Sequence, residues 1–131
     1  MRLARANEKG FTLIEFLVAI VIIAVGLLGL LQTVNFSIDR NMTTLLRDEA
    51  VRLADERMMR EKSKVFTAIS TNTVTENVAV NVANAFKNYS VAKTTSEVTS
   101  NTKNIQIDVT WRYKGQNYGH TMSSLVSKTI Q

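Results

Sequence analysis

An uninterrupted apolar run over residues 16–31 most restricts what this chain can fold into, because none of its side chains contains a polar atom. Extended back to Phe11, the segment is interrupted only by Thr12 and Glu15. A helix over residues 11–31 spans roughly 31 Å at about 1.5 Å per residue, which is the thickness of a bilayer core. We therefore expect a transmembrane helix at residues 11–31.

Basic residues flank this run on one side only. Arg2, Arg5 and Lys9 precede it, whereas the next basic residue after it is Arg40. The positive-inside rule then keeps the N-terminus cytoplasmic and exports the rest of the chain across the membrane. A cleaved secretory signal peptide fits less well, because the run is longer than a usual signal core and residues 32–35 offer no small-x-small cleavage site.

The composition excludes several classes of function. The 131-residue chain has no Cys and one His, which removes thiol nucleophiles, disulfides and Cys/His zinc sites. Its net charge of +5 is partly due to the first ten residues, and beyond Gly10 acids nearly balance bases. That balance is unlike a nucleic-acid-binding domain. We predict no metal, no cofactor and no nucleic-acid partner.

Glu15 is the unusual residue of the expected membrane span. A carboxylate at the bilayer centre costs roughly 2.5 to 3.5 kcal/mol, and less near an end, so its presence indicates a function or a partner. The alternative is an acid lying in the interface, where the helix macrodipole favours it by about 0.3 to 1 kcal/mol. Sequence position leaves both interpretations open.

The segment KGFTLIE, residues 9–15, follows a short basic leader and precedes the apolar run. It resembles the class III signal of type IV pilins and pseudopilins, and the resemblance covers residues 1–31. It implies that a prepilin peptidase cuts between Gly10 and Phe11 and methylates the new amino terminus of Phe11. It also implies that Glu15 acts in assembly with other pilins and minor pilins through the N-terminal helix.

Such a cleavage would change the charges around the helix start. It removes the basic leader and creates an amine four residues from Glu15. An amine and a carboxylate about 4 Å apart attract by about 4 kcal/mol at an effective dielectric near 20, comparable to the cost of burying the acid. Such an ion pair would fix the alignment of two helices more than it would stabilise their contact. We hypothesise that Glu15 meets the Phe11 amine of a neighbouring subunit.

Beyond Leu31 the sequence continues in a helical pattern. Residues 32–63 contain no Gly or Pro. Acidic and basic residues are mixed on one side of the expected helix, some of them spaced i, i+4, and we expect this side to face solvent. Apolar residues recur at helical intervals on the other side: Ile38, Met42, Leu46, Ala50, Leu53 and Met58. We expect one helix from Phe11 to about Ser63, its second half packed on a C-terminal head.

The middle of the chain is ambiguous. Residues 73–76 have the spacing of a capping box, and apolar residues at helical intervals follow them, so we predict a short helix over residues 74–87. The alternating valines of the same stretch would suit a strand equally well. We interpret the Thr, Ser and Asn residues of 94–104 as a surface loop.

The C-terminal sequence predicts a hairpin. Apolar and polar residues alternate over residues 105–113, and a turn follows at residues 114–117. We expect Tyr113 to pair with Tyr118 and Trp111 with His120.

This register also tests an apparent hydrolytic triad of Asp108, His120 and Ser123. Asp108 and Ser123 would lie on the polar face and His120 on the apolar face, so the three cannot converge. We predict no catalytic residue and a protein that is not an enzyme.

Together these elements predict an α+β fold, a long N-terminal helix with a small antiparallel sheet on its outer half. This lollipop resembles the pilin fold. Its segments are a leader (1–10), a transmembrane and assembly helix (11–31), a helix continuation packed on the head (32–64) and a periplasmic or extracellular head with a C-terminal hairpin (65–131).

Many major pilins carry a mid-helix Pro and a C-terminal cysteine loop, whereas this chain has Gln32 and Thr33 in that region and no Cys. Residues 25–30 and the terminal strand with its single Trp look more like PilV-type minor pilins. The resemblance implies a minor pilin of a type IV pilus, held in the bacterial inner membrane before it joins or primes the filament. A minor pseudopilin of type II secretion and a single-span anchored binding protein are the alternatives.

Overall fold

The computed structural model describes residues 10–128, which form one long helix, one 3-10 turn (Phe66–Ala68) and four strands. The helix α1 spans Leu13–Lys62. The strands are β1 (Val74–Val82), β2 (Ala85–Thr99), β3 (Thr102–Tyr113) and β4 (Gln116–Ser127). The predicted α+β class, with a long N-terminal helix and a small antiparallel sheet, is confirmed. The chain divides into two compact units, Met1–Asp39 and Arg40–Gln131.

In the first unit, α1 is exposed on all sides. Every residue from 10 to 38 is exposed, and this part of α1 contains a stretch long and apolar enough to cross a membrane. The Thr33 hydroxyl donates to the Gly29 carbonyl at 3.1 Å, so this polar side chain is satisfied within the helix itself. A helix surrounded by lipid or by other apolar helices requires that internal satisfaction.

In the second unit, one face of α1 forms one side of the hydrophobic core. Its buried apolar residues are Leu46, Ala50, Leu53, Ala54 and Met58. The predicted apolar stripe is thus confirmed from Met42 onward, since Met42 is partly buried against the core, whereas Ile38 is 59% exposed. The i, i+4 spacing places these side chains on one side of the helix, where they can pack on a sheet.

The sheet has the order β1-β2-β3-β4 and every neighbouring pair is antiparallel. Alternate residues of its central strands face α1 and complete the core: Tyr89, Val91, Ile105, Ile107, Val109 and Trp111. The intervening residues face away and are mostly small and polar. This alternation follows from the two-residue period of a strand.

The helix predicted over residues 74–87 is wrong. β1 occupies Val74–Val82, and Ala83 and Asn84 form a tight turn with positive φ values of 49° and 63°. Two consecutive residues at positive φ are typical of the turns that join antiparallel strands. The valine alternation decided the outcome, because it puts Val78, Val80 and Val82 toward the core.

The loop predicted over residues 94–104 is also wrong. β2 continues to Thr99 and β3 begins at Thr102, with an irregularity in register near Glu97. Thr is a good strand former, so a Thr-rich stretch can be a strand with a polar outer face. The Lys103 side chain is buried, and its ammonium donates hydrogen bonds to the carbonyls of Phe66 and Ile69, at 3.3 and 2.7 Å.

The C-terminal hairpin is confirmed, but its register differs from the prediction by two residues. The loop consists of residues 114 and 115, with φ values of 48° and 81°. Tyr113 therefore pairs with Gln116 instead of Tyr118, and Trp111 pairs with Tyr118. A displacement of two residues keeps each side chain on its predicted face.

Tyr89 connects the sheet to the helix. Its ring is fully buried, lies 5.9 Å from the Trp111 ring, and carries a hydroxyl that donates to the Leu46 carbonyl at 3.1 Å. Burial, and then the negative charge of Glu49, raise the pKa of Tyr89 to about 12. The hydroxyl therefore stays protonated and remains a donor.

Removing this hydroxyl should weaken the second unit. We expect Tyr89→Phe to lower the free energy of unfolding by about 1 kcal/mol, because one buried hydrogen bond is lost while the ring is kept. Denaturant unfolding of the full chain, followed by the fluorescence of the single Trp, measures it. Tyr118→Phe is the control, because the Tyr118 hydroxyl bonds to the exposed Gln116 side chain. Equal losses in both variants would contradict the role assigned to Tyr89.

Candidate processing and assembly site

The predicted cleavage site lies just before the helix. Gly10, Phe11 and Thr12 have no regular secondary structure, and α1 begins at Leu13. Phe11 is 89% exposed, and a Cβ added at Gly10 would meet no other atom within 4 Å. The peptide bond between Gly10 and Phe11 is therefore in exposed, non-helical chain, the kind of segment a peptidase can bind.

Thr12 determines where the helix begins. The Glu15 backbone N–H donates to the Thr12 hydroxyl at 3.3 Å, and the Phe16 N–H donates to the Thr12 carbonyl at 3.2 Å. Thr12 is thus the N-cap and Glu15 the third helical residue, the spacing of a capping box. The sequence analysis missed Thr12, although its T-x-x-E spacing to Glu15 carries the signal.

Glu15 lies in the first turn of α1 and is exposed. Within residues 10–128 its carboxylate makes no ion pair. The unpaired backbone N–H groups of a helix start favour an anion there, by about 0.3 to 1 kcal/mol. The carboxylate is thus accessible to a cation from outside the chain.

Residues 5–31 match the family model of the prokaryotic N-terminal methylation motif. No curated protein and no solved structure matches the chain. The motif supports a type IV pilin-like class III signal, and hence a type IV pilin-like or pseudopilin protein with a structural role. Together with the apolar helix it suggests membrane anchoring.

The side chains of the apparent triad are not brought together. Asp108 faces away from the core and accepts a hydrogen bond from the Thr121 hydroxyl at 2.6 Å. His120 pairs with Val109, whose side chain is buried in the core on the other face of the sheet. Ser123 shares the outer face with Asp108 but not with His120, because alternate residues of a strand point to opposite faces.

A cluster of charges lies where the end of α1 meets β1 and β2. Glu61, only 9% exposed, contacts the Lys64 ammonium at 2.5 Å and the Lys93 ammonium at 3.5 Å. Arg57 contacts Glu76 of β1 at 2.6 Å. These residues surround a cavity of about 300 Å³. The sequence analysis missed this cluster, because its partners are distant in sequence and Arg57 and Glu61 were interpreted as part of a solvated face.

Opposing effects act on Glu61. Burial favours its neutral form, but the hydrogen bond from Lys64 and the positive charge of Lys93 together outweigh burial and lower the pKa of Glu61. The ionised carboxylate therefore stabilises the folded chain. This contribution is present above the pKa of the unfolded carboxyl group and is lost as the pH falls through the lowered folded pKa.

Glu61→Gln should therefore have a pH-dependent effect on stability. We expect the variant to be less stable than the wild type at about pH 7, and the difference to shrink toward about pH 3 as the wild-type carboxylate is protonated. Denaturant unfolding at both pH values measures it. Glu56→Gln is the control: the Glu56 side chain is 44% exposed, and exposed pairs contribute little. A stability difference that does not change with pH would contradict this account.

Proposed function

We propose that the protein is a minor pilin of a type IV pilus system, cut between Gly10 and Phe11 by a prepilin peptidase. The observation that carries the proposal is the methylation motif over residues 5–31, located at the start of a helix that is exposed through residue 38. The lack of a mid-helix Pro and of Cys favours a minor subunit that joins or primes the filament over its main subunit.

In this function, residues 11–31 cross the inner membrane with the N-terminus in the cytoplasm. Cleavage removes Arg2, Arg5 and Lys9, the charges that hold the N-terminus at the cytoplasmic face. The cost of moving the helix out of the bilayer then falls. The exposed apolar surface of α1 exchanges lipid for the helices of other pilins, which are equally apolar.

Glu15 would provide the counter-charge for assembly. A new amine at Phe11 lies beside the positive end of its own helix, where a cation is disfavoured. The Glu15 carboxylate of a neighbouring subunit offsets this unfavourable interaction. The amine and the carboxylate attract each other by about 4 kcal/mol at about 4 Å and an effective dielectric near 20. Because burying the acid costs a similar amount, the pair would fix the axial register of two helices more than their affinity.

Mass spectrometry of the mature N-terminus tests the processing step. When the chain is produced with an active prepilin peptidase, we expect it to begin at methylated Phe11. Gly10→Val should abolish cleavage, because its side chain blocks the peptidase while the open surroundings of Gly10 leave the fold unchanged. Gly26→Val is the control, since Gly26 has equally open surroundings and lies outside the cleavage site. A wild-type chain that keeps its leader would overturn the proposal.

A pair of variants separates the charge of Glu15 from its place in the helix cap. We expect Glu15→Gln to lower incorporation into filaments by about tenfold, equivalent to about 1.4 kcal/mol. Thr12→Ala removes the cap at a cost of about 1 kcal/mol to the helix, but keeps the charge, so incorporation should persist. Quantifying the subunit in sheared filaments measures both. Normal incorporation of Glu15→Gln, or equal loss in both variants, would contradict the pairing role.

The machinery that uses the protein can be tested directly. In cells lacking the type IV pilus assembly machinery, we expect the processed protein to remain in the inner membrane. Retention on loss of the type II secretion machinery instead would identify a pseudopilin and overturn the pilus assignment.

A further inference from the structure

The cavity of about 300 Å³ beside the end of α1 reaches the hydrophobic core. Val91 and Ile107 are almost completely buried and form its inner end, and Val74 of β1 lies at its side. A concave site with an apolar inner end and a few charged groups is the usual form of a small-ligand pocket. The remaining side chains that line the cavity are all charged: Arg57, Arg60, Glu61, Lys64, Glu76 and Lys93.

Positive charge is in excess around this cavity. Its lining contains four basic side chains and two carboxylates. Glu61 is shared between two of the cations, Lys64 and Lys93. Glu56 lies outside the lining and contacts Arg57 and Arg60. Even when Glu56 is included, the cations exceed the carboxylates by one. Such an excess in a partly enclosed site attracts an anion.

The Lys93 ammonium is the least satisfied of these cations. Its side chain is only 13% exposed, and its contact with Glu61 is long, at 3.5 Å. An ammonium has three donors, and no second acceptor for them lies among residues 10–128. A charge that is largely removed from water is costly unless its donors are satisfied. Lys93 therefore has donors available to a ligand in the cavity.

We propose that the cavity binds a carboxylate carried on a small apolar group. The carboxylate accepts hydrogen bonds from the Lys93 ammonium, and the apolar group covers Val91 and Ile107. The cavity volume corresponds to about ten water-sized groups at about 30 Å³ each, which limits the ligand to a similar number of non-hydrogen atoms. An inorganic anion would leave the apolar inner end uncovered. The apolar C-terminal residue of another polypeptide and a free short-chain acid share the required chemistry.

The two carboxylates of the lining oppose an anion, but each is already compensated. Glu61 contacts the Lys64 ammonium at 2.5 Å, and Glu76 contacts the Arg57 guanidinium at 2.6 Å. These short contacts leave Lys93 as the position for an incoming carboxylate. Charge-assisted hydrogen bonds of this kind are stronger than neutral ones, and the apolar group gains by releasing water from the inner end.

Equilibrium dialysis of the full-length chain in detergent micelles tests the class of ligand, with protein-free micelles as the background. We expect N-acetyl-leucine and isocaproate, which each carry a carboxylate on a leucine-like group, to bind. N-acetyl-leucinamide has the same apolar group without the charge, and we expect it to bind at least about tenfold more weakly than N-acetyl-leucine.

The comparison of the two acids distinguishes the sources of the ligand. Tighter binding of N-acetyl-leucine supports a polypeptide C-terminus, and tighter binding of isocaproate supports a free acid. Equally tight binding of N-acetyl-leucinamide, or binding of neither acid, overturns the proposal.

A pair of charge variants tests the role of Lys93. We expect Lys93→Gln to weaken the binding of the acids by about tenfold, because it removes the charged donor. Arg52→Gln is the matched control, since it also removes one cation but lies outside the cavity lining. The fluorescence of the single Trp reports whether each variant is folded. A folded Lys93→Gln variant with undiminished binding overturns the proposal.

A pair of size variants tests the cavity without changing any charge. We expect Val74→Phe to weaken the binding of the acids by about tenfold, because the larger side chain narrows the cavity. Val65→Phe is the control, since Val65 is exposed and lies outside the lining. Val74 is itself partly exposed at the first residue of β1, so this pair remains informative even where Lys93→Gln fails to fold. Unchanged binding in Val74→Phe, or an equal loss in Val65→Phe, overturns the proposal.

Discussion

The packing of one face of α1 against the inner face of the sheet holds the second unit together. The sheet alone has one apolar face, and because the chain has no Cys, no disulfide stabilises it. Leu46, Leu53 and Met58 cover that face, and the Tyr89 hydroxyl fixes the helix position by its bond to the Leu46 carbonyl. Burial of this kind contributes about 25 cal/mol per Å² of apolar surface, so a small domain of this composition depends on it.

The same helix serves two environments. Over residues 16–31 its side chains are apolar and exposed, which suits lipid or other helices. From Leu46 onward one face is buried and the opposite face carries ion pairs among Glu49, Arg52 and Glu56. Uninterrupted backbone hydrogen bonding makes this possible, because no Pro breaks α1.

Much of the fold could be predicted from the sequence. The helix was predictable because a long apolar run is followed by apolar spacing over residues 32–63 without Gly or Pro. The β3-β4 hairpin was predictable because the alternation over residues 105–113 is strict. Residues 74–87 fit both a helical and a strand period, and only packing on the core decides between them. The Thr-rich end of β2 was missed because residues 93–97 are polar on both faces of the strand, including the buried Thr95, so no apolar alternation is present. Loop length set the hairpin register, and a four-residue turn was assumed where Lys114 and Gly115 suffice.

The candidate site was predictable only in part. The KGFTLIE segment is local, so the sequence alone indicates Gly10, Phe11 and Glu15 as candidate residues, although the cap at Thr12 was missed. The cluster around Glu61 forms only when distant parts of the chain come together. Glu76 lies in a strand that was predicted to be a helix, and Lys93 lies in a strand for which no element was predicted. Charges on different elements cannot be paired from sequence patterns until the arrangement of those elements is known.

The order of the strands also bears on how quickly the second unit can fold. Each strand of the sheet pairs with the next one along the chain, and all three connections are two-residue turns, so most pairing is between near neighbours in sequence. Chains dominated by local contacts cross a low entropic barrier. With neither prolyl isomerisation nor thiol oxidation available to limit the rate, the second unit can reach the native state without an isomerase or an oxidant.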